Sequence, residues 1–318
     1  HVDLPQANPY NVTSEQLVAQ IKAMQSAGFV FVSMDDVSKH FVQGEGSLPS
    51  RSALVTFDDG AHNTFTVAWP ILKKLNIPFS IFIYPTAISV GHKRGFMDWR
   101  DVKAMSRAGV EVGAHGFDHP YLPFPTKTVK TARQFDAWLF QETSGAKQVI
   151  ETQISRSVTT VALPFGLEDV ASYYAIKRAG YQLAFNISGM TNDDRMDPLY
   201  LNRIMVVNTD TPQSIVRRAR TLPLMLKNRY PHSLSRVSVP TAQIHFELSD
   251  QDHVVTRSLR IYLSSKELGR GYDDVKGYDG VAELPKQQVY TVSVLAVNKA
   301  NESCFGSWSF IKNKNTSY

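Results

Sequence analysis

Between Thr13 and about residue 220, the apolar positions of this chain fall into two alternating rhythms. Leu17, Ile21 and Met24 recur at helical spacing as far as Gly28, behind a Thr13-Ser14-Glu15-Gln16 start that has the form of a capping box. A short buried strand over 29–32 and a second helix over 34–42 follow. The apolar run 53–57 is the next strand; a helix ending near Leu75 then leads to a strand over 79–83. A helix over 99–107 runs through Gly109 into a strand over 110–114. The series closes with a helix over 129–150, a strand over 159–163, a helix over 167–179 and a strand over 181–185. Repeated strand-then-helix units predict an α/β fold with a parallel sheet and right-handed crossovers, open or closed as a barrel.

The rhythm changes after Pro231-His232-Ser233. Helical spacing disappears, and the segments 242–248, 257–263 and 290–297 alternate apolar and polar residues as half-buried strands do. Short strands with polar turns predict a β-sandwich. The chain therefore divides into a first domain over 1–232 and a second over 233–318. The stretch 290–309 resembles the last two strands of a fibronectin type III (Ig-like) domain, turning at 298–303.

Composition narrows the class only a little. The 318 residues are 43% hydrophobic and 20% charged, as in ordinary globular proteins, and no apolar run approaches the roughly 20 residues of a membrane span. The formal charge of +5 is spread along the chain without a Lys/Arg block, which argues against nucleic acid as a partner and is compatible with an anionic wall or matrix polymer. From Arg236 onward, 10 Lys/Arg face 9 Asp/Glu, so the second domain is nearly neutral. Cys304, the one cysteine, excludes an internal disulfide or a thiolate cluster and reads as a small buried hydrophobe. His232, His245 and His253 lack metal-ligand spacing, and His62 reads as a solvated residue of a first helical turn.

Chemistry is concentrated at two strand ends. Thr56-Phe57-Asp58-Asp59-Gly60 follows one strand, and His115-Gly116-Phe117-Asp118-His119-Pro120 follows another. Either motif alone has an ordinary reading: Asp-Asp-Gly is a common turn, and two histidines four apart can merely share a helix face. Gly113, Gly116 and Pro120 argue against a helix, so a turn of chain must bring the rings together. In α/β barrels, the C-terminal strand ends form the active face. Two carboxylates and two imidazoles there supply a metal-binding triad with one carboxylate left as a base, which is a hydrolase constellation.

These two motifs resemble those of the polysaccharide deacetylases (carbohydrate esterase family four), T-F-D-D-G and H-[ST]-x-x-H-P, over roughly residues 1–220. Gly116 stands where that family usually has Ser or Thr. The resemblance implies a distorted (β/α) barrel of about seven strands, the NodB-like fold. It also implies Asp58 as catalytic base, with Asp59, His115 and His119 as ligands of a divalent metal, zinc being the ion that suits two imidazoles and a carboxylate. Leu163-Pro164-Phe165-Gly166 matches the end of the family's third motif and makes the Phe165 N–H an oxyanion donor, although an ordinary strand-to-helix turn has the same local sequence.

The arginine usual in that motif is missing, since 159–162 read Thr, Thr, Val, Ala; Arg203, in a Leu-x-Arg-Ile element, either replaces it or is a solvent-facing strand residue. The general acid is His1 or a residue before it, by resemblance to a circularly permuted branch that acts on poly-N-acetylglucosamine; a frayed terminal histidine is the alternative. Trp99, Phe117 and Tyr121 are candidates to line a sugar groove, with core packing as their alternative.

Together these features imply a secreted or periplasmic, metal-dependent N-deacetylase whose partner is an N-acetylated polysaccharide. Peptidoglycan is slightly preferred over poly-N-acetylglucosamine or chitin, because the charge balance and the appended module suit association with a wall or a wall protein. The competing class is an inactive carbohydrate-binding protein on the same fold.

Overall fold

The computed structural model describes residues 1–3, 8–167, 169–249, 252–271, 276–285 and 289–312. Two compact units emerge, one formed by 1–187 with 194–218 and the other by 188–193 with 219–318. The expected break at 232/233 moves forward because Leu222–Pro223 and Leu226–Tyr230 pair with strands of the second unit.

In the first unit, strands β1 (Val30–Phe31) and β2 (Ser52–Ala53) pair in parallel, and β2 continues past Leu54 into β3 (Val55–Phe57). Five parallel strands then run in chain order: β3, β4 (Phe79–Ile83), β5 (Glu111–Ala114), β6 (Thr160–Ala162) and β7 (Leu183–Phe185). A parallel bridge from Phe185 to Leu201 extends the far edge. The hydrogen-bonded sheet is therefore a five-stranded half-barrel; the expected seven staves are reached only by adding β1 and the Leu201 bridge. The strands are short because each spans only the barrel wall before its crossover, and every residue of β4, β6 and β7 is buried, as in a sheet covered on both faces.

The helices follow their predicted faces with shifted ends. α1 (Ser14–Ser26) starts at the expected capping box: the Gln16 N–H donates to Thr13 Oγ1 at 3.1 Å, and the Thr13 N–H to Gln16 Oε1 at 2.9 Å. α2 (Met34–Ser38) and α3 (Trp69–Lys74) each adjoin a wider π-type turn, and α4 (Pro85–Val90) follows β4. α5 (Trp99–Arg107) has the predicted bounds, capped by Asp98. The expected 129–150 helix begins later, behind the Thr131 cap, as α6 (Ala132–Phe140); it passes through a π-type turn at Gln141–Gly145 into α7 (Ala146–Ile154). α8 (Val170–Arg178) and α9 (Pro212–Ala219) complete the unit. Leu17, Leu72, Ile81, Ile83, Met105 and Ile150 belong to one core between sheet and helices, while Phe82, Ala162, Leu183 and Leu201 line another with Val32 and Met34.

The second unit is built of β-strands, with a 3₁₀ turn at Thr256–Ser258. Strands β8 (Leu222–Pro223), β10 (Arg236–Val237), β12 (Arg260–Leu263), β13 (Lys266–Arg270), β15 (Val289–Val297) and β16 (Ser303–Lys312) form one sheet. The strands β9 (Leu226–Tyr230), β11 (Thr241–Leu248) and β14 (Gly277–Glu283) form a second. Ile244, Phe246, Ile261, Tyr290, Val292, Trp308 and Phe310 share one apolar core, so residues from both sheets are buried together. β15 and β16 make the expected hairpin, with Ala296 opposite the buried Cys304. The last six residues of the expected second domain, 313–318, lie outside the described residues.

Candidate metal and catalytic site

The C-terminal ends of the parallel strands bring the two motifs together. β3 ends at Phe57, so Asp58 and Asp59 leave the sheet at its rim; β5 ends at Ala114, so His115 leaves the same rim two strands away, with β4 between. The His115 N–H donates to Ile83 O at 2.8 Å, fastening the start of the histidine loop to β4.

The turns that aim these side chains use left-handed backbone. Asp59 has φ 72° and His119 φ 57°, a conformation uncommon for residues with a Cβ. Each costs on the order of 1 kcal/mol and persists where its surroundings over-determine it, as at ligand-binding sites. Gly60 (φ 74°) lies in the region that favours glycine, and a Cβ there would lie 2.7 Å from Ile88 Cδ1 and push it aside. Gly116 (φ 75°) departs from the usual Ser or Thr for a related reason, since its Cβ would crowd Glu142 Oε2 and Pro164 Cγ at 3.3 Å in a strained backbone.

Three donor atoms converge. His119 Nε2 lies 3.1 Å from His115 Nε2, His119 Nε2 3.4 Å from Asp59 Oδ1, and His115 Nε2 3.6 Å from the same oxygen. Donors about 2.1 Å from a shared ion stand roughly 3.0–3.4 Å apart, so this triangle has the dimensions of one face of a coordination shell. His115 is buried, and its Nδ1 lies 2.8 Å from Ala162 O; with Nδ1 donating to that carbonyl, Nε2 presents its lone pair to the triangle. Burial, and then the neighbouring His115, push His119 down to about 4 against the opposing pull of Asp59 and Asp58, so its imidazole is neutral at pH 7, the form that binds a cation. The donor set therefore fits a borderline divalent ion such as zinc.

Asp58 stands beside the triangle with a different partner. Arg203 reaches it with both guanidinium nitrogens, Nη1 to Oδ1 at 2.7 Å and Nη2 to Oδ2 at 2.8 Å. Nη1 also donates to Thr56 Oγ1 at 3.3 Å and Nε to Asn186 O at 3.2 Å, and the guanidinium lies over the Phe82 ring. Burial alone would raise the Asp58 pKa, but Arg203 and then His115 outweigh it and hold the carboxyl below its usual range. Asp59 is likewise held low: burial raises it, and His1, His115 and His119 overcome that. Arg203 thus faces the carboxylate and not solvent, joining the far edge of the sheet to the β3 edge.

His1 is placed at the same cluster, Nε2 lying 3.4 Å from Asp59 Oδ2. It is not frayed: Val2 is fully buried and bridges to Val12, the Asp3 N–H donates to Val12 O, and Asn63 donates to Val2 O. Phe165 follows β6 in left-handed backbone (φ 59°). Its exposed ring stacks on that of Tyr121 at 3.7 Å and nearly parallel, and lies 4.6 Å from the His119 ring. Tyr84 lies on the other side, 5.3 Å from His119, with its hydroxyl pKa raised by burial and then by Asp59 and Asp118.

Two of the three expected groove aromatics lie elsewhere or play another part. Trp99 packs against the barrel core, where its place at the start of α5 puts it. Phe117 is half-buried, and its backbone is what the structure uses: the N–H donates to Glu142 Oε2 at 2.7 Å and the carbonyl accepts from Thr86. Glu142, in the π-type turn between α6 and α7, was not foreseen. Its buried carboxylate also accepts the Asp118 N–H at 3.1 Å and so clamps the histidine loop; burial raises its pKa, partly offset by these two bonds. No local signal marks it, because it looks like any polar residue of a helical segment.

Residues 45–184 match the family model for polysaccharide deacetylase. A poly-beta-1,6-N-acetyl-D-glucosamine N-deacetylase of Staphylococcus aureus is 24% identical over 212 residues, covering 66% of this chain and 72% of that one. Among solved structures, the Streptococcus pyogenes deacetylase PplD, in complex with acetate, has a TM-score of 0.59 at 22% identity and covers 69% of this chain and 93% of that one. IcaB from Ammonifex degensii has a TM-score of 0.58 at 21% identity, over 69% and 94%. These two likenesses are of fold.

Proposed function

We propose that this chain, whose residues 45–184 match the polysaccharide deacetylase family model, is a metal-dependent polysaccharide N-deacetylase that removes acetyl groups from poly-N-acetylglucosamine. The observation that carries the mechanism is the triangle of Asp59, His115 and His119 donor atoms with a separate, Arg203-held carboxylate at its side. A divalent ion held by Asp59, His115 and His119 would polarise the acetamide carbonyl and make water more acidic. Asp58 accepts the proton of the attacking water; its low pKa keeps it ionised, and Arg203 occupies one lobe of each oxygen, leaving the remaining lone pairs for water. The Phe165 N–H donates to the oxyanion, and the turn at Pro164–Gly166 supports this by setting that residue in the left-handed region at the rim. His1 supplies the proton to the departing amine. Tyr121 and Phe165 offer an exposed stacked edge on which a pyranose ring can rest.

The substrate assignment departs from the preference for peptidoglycan that charge and the appended module suggest. Those features do not discriminate among anionic or insoluble polymers, whereas relatives that align over 66% of the chain are named for a β-1,6-linked glucosamine polymer. The second unit reads as a β-sandwich accessory domain, fibronectin type III-like in its last hairpin, that holds the enzyme near polymer or a wall protein. Acting on such a polymer puts the protein outside the cytoplasm, and among the described residues no helix is long and apolar enough to cross a membrane.

Acetate release from poly-β-1,6-N-acetylglucosamine oligomers, peptidoglycan and chitin oligomers, each with and without chelator, tests the reading. Fastest release from the β-1,6 oligomers, abolished by chelator and restored by zinc, is expected. Faster release from peptidoglycan would transfer the substrate, and release from none of them would leave the binding-only alternative.

A further inference from the structure

A second set of ligating side chains lies outside the site just described. His62, His92 and Asp101 place one donor atom each within 4.8 Å of the others. Asp101 Oδ2 is 2.6 Å from His92 Nε2 and 3.8 Å from His62 Nε2, and the two imidazoles face each other with centroids 4.1 Å apart. The second carboxylate near by, Asp98, is 4.0 Å from His92 Nε2 but is taken up by Arg100 and by capping α5.

Each of the three is held by its own segment. The His62 N–H donates to Gly95 O at 2.9 Å, and Ala61 bridges to Phe96, so His62 is tied to the chain that carries His92. Asp101 sits in the first turn of α5 with Oδ2 accepting the Asp98 N–H at 3.1 Å; its side chain is 12% exposed, against 36% for His62 and 43% for His92. A fixed, nearly buried carboxylate oxygen thus faces two ring nitrogens whose outer edges are open to water.

A hydrogen bond explains one imidazole beside that oxygen, His92. It does not explain the second, whose Nε2 stands 3.8 Å from the same oxygen while its ring lies against the first. A cation that drew the three atoms to the roughly 3.0–3.4 Å spacing of a shared ion, lengthening the 2.6 Å separation and shortening the 3.8 Å one, would satisfy both rings at once. Two nitrogens and one oxygen suit zinc, with an open position for water, and suit magnesium or calcium poorly, since these prefer oxygen shells.

We infer that His62, His92 and Asp101 form a second divalent-cation site, of zinc type and structural in role. His62 lies three residues beyond Asp59, and the Met97 N–H donates to Gly60 O at 2.8 Å. An ion there would fasten the turn at Gly91–Arg94 and the start of α5 to the segment that leaves the carboxylate turn.

Zinc content of the whole protein, loaded with zinc and gel-filtered to remove loose metal, tests this. About two ions per chain are expected in the wild type and about one in His92→Ala, in His62→Ala and in His119→Ala. The double variant His119→Ala/His92→Ala should retain almost none. In the His119→Ala background, zinc should also slow amide exchange over residues 91–98, and His92→Ala should abolish that protection. Equal zinc content in the wild type, His92→Ala and His62→Ala overturns the inference, as does zinc that leaves exchange over 91–98 unchanged. Because His62 and His92 are both partly exposed, failure of one variant to fold leaves the other to decide. The readout is independent of deacetylation, so an error in the substrate or mechanism leaves it intact.

Discussion

Removing the Arg203 side chain separates what it does for Asp58 from what burial does. In the structure two short bonds, 2.7 and 2.8 Å, join the guanidinium to both carboxylate oxygens, and Arg203 is the leading influence that lowers the Asp58 pKa. Without that charge, burial is opposed mainly by His115, so in Arg203→Ala the Asp58 pKa should rise. Lost orientation should lower the rate at pH 7 by about 10- to 100-fold if the carboxylate swings out of reach of the attacking water. Protonation should deepen the loss as the pH falls. The assay is kcat/KM for acetate release from a soluble oligomer between pH 4 and 9, where the acid limb reports the base of the free enzyme. In the wild type this limb lies at low pH; in Arg203→Ala it should shift upward, and in Arg203→Lys, which keeps the charge but not the fork, it should stay near the wild-type position while the rate at pH 7 falls. Breaking a largely buried pair costs about 3 kcal/mol, so the melting temperature should drop by several degrees and the assays belong well below it. An acid limb that does not move in Arg203→Ala, in protein shown to be folded, refutes the assignment of Arg203 as the partner that keeps Asp58 ionised.

Asp58→Asn should lower turnover by about 10²–10⁴ with bound metal unchanged; near-normal activity would make Asp58 a turn residue, and loss of metal would make it a ligand. His119→Ala should weaken zinc binding at the main site at least tenfold with little change in melting temperature of the metal-free protein, as measured by competition with a chelating dye. Tyr121→Ala should raise KM about tenfold while changing kcat far less, since it removes a stacking face beside the reacting centre and none of the donors; an unchanged KM for oligomers of several sugars counts against the platform. Metal-free protein should lose stability as pH falls from about 6.5 toward about 4, because the unfolded chain takes up the His119 proton before the folded one does, a loss on the order of 3 kcal/mol once the pH is below both values. Chemical denaturation at pH 7 and pH 4.5, comparing wild type with His119→Ala, measures it, and equal pH dependence in the two proteins would remove His119 as the cause.

Some of this was legible in the residues alone. The strand ends that carry Asp58-Asp59 and His115 follow from local alternation and from Gly and Pro placed where helix or strand must stop, which neighbours in sequence decide. The α1 and α5 starts follow from capping chemistry that reaches only three residues. The residue types at the two strand ends, carboxylates on one and imidazoles on the other, restrict the chemistry before any coordinates are known.

What tertiary structure decided is the company these residues keep. Asp58 and Arg203 meet because the sheet curves until its last edge faces its first, and nothing near Arg203 distinguishes a solvent-facing strand residue from a partner of Asp58. Glu142 clamps the histidine loop from a helix whose local sequence reads as an ordinary polar face, and Trp99 turned to the core because α5 packs there. The division between the units moved to 218/219 because β8 and β9 find their partners in β16 and β11, strands far downstream. His62, read as a solvated residue of a first turn, became part of a donor cluster only when its segment paired with 95–97. Hydrophobic period and turn chemistry act over a few residues and so can be read along the chain; ion pairs and ligand clusters depend on which strand ends share a rim, and that is set by the packing of the whole sheet.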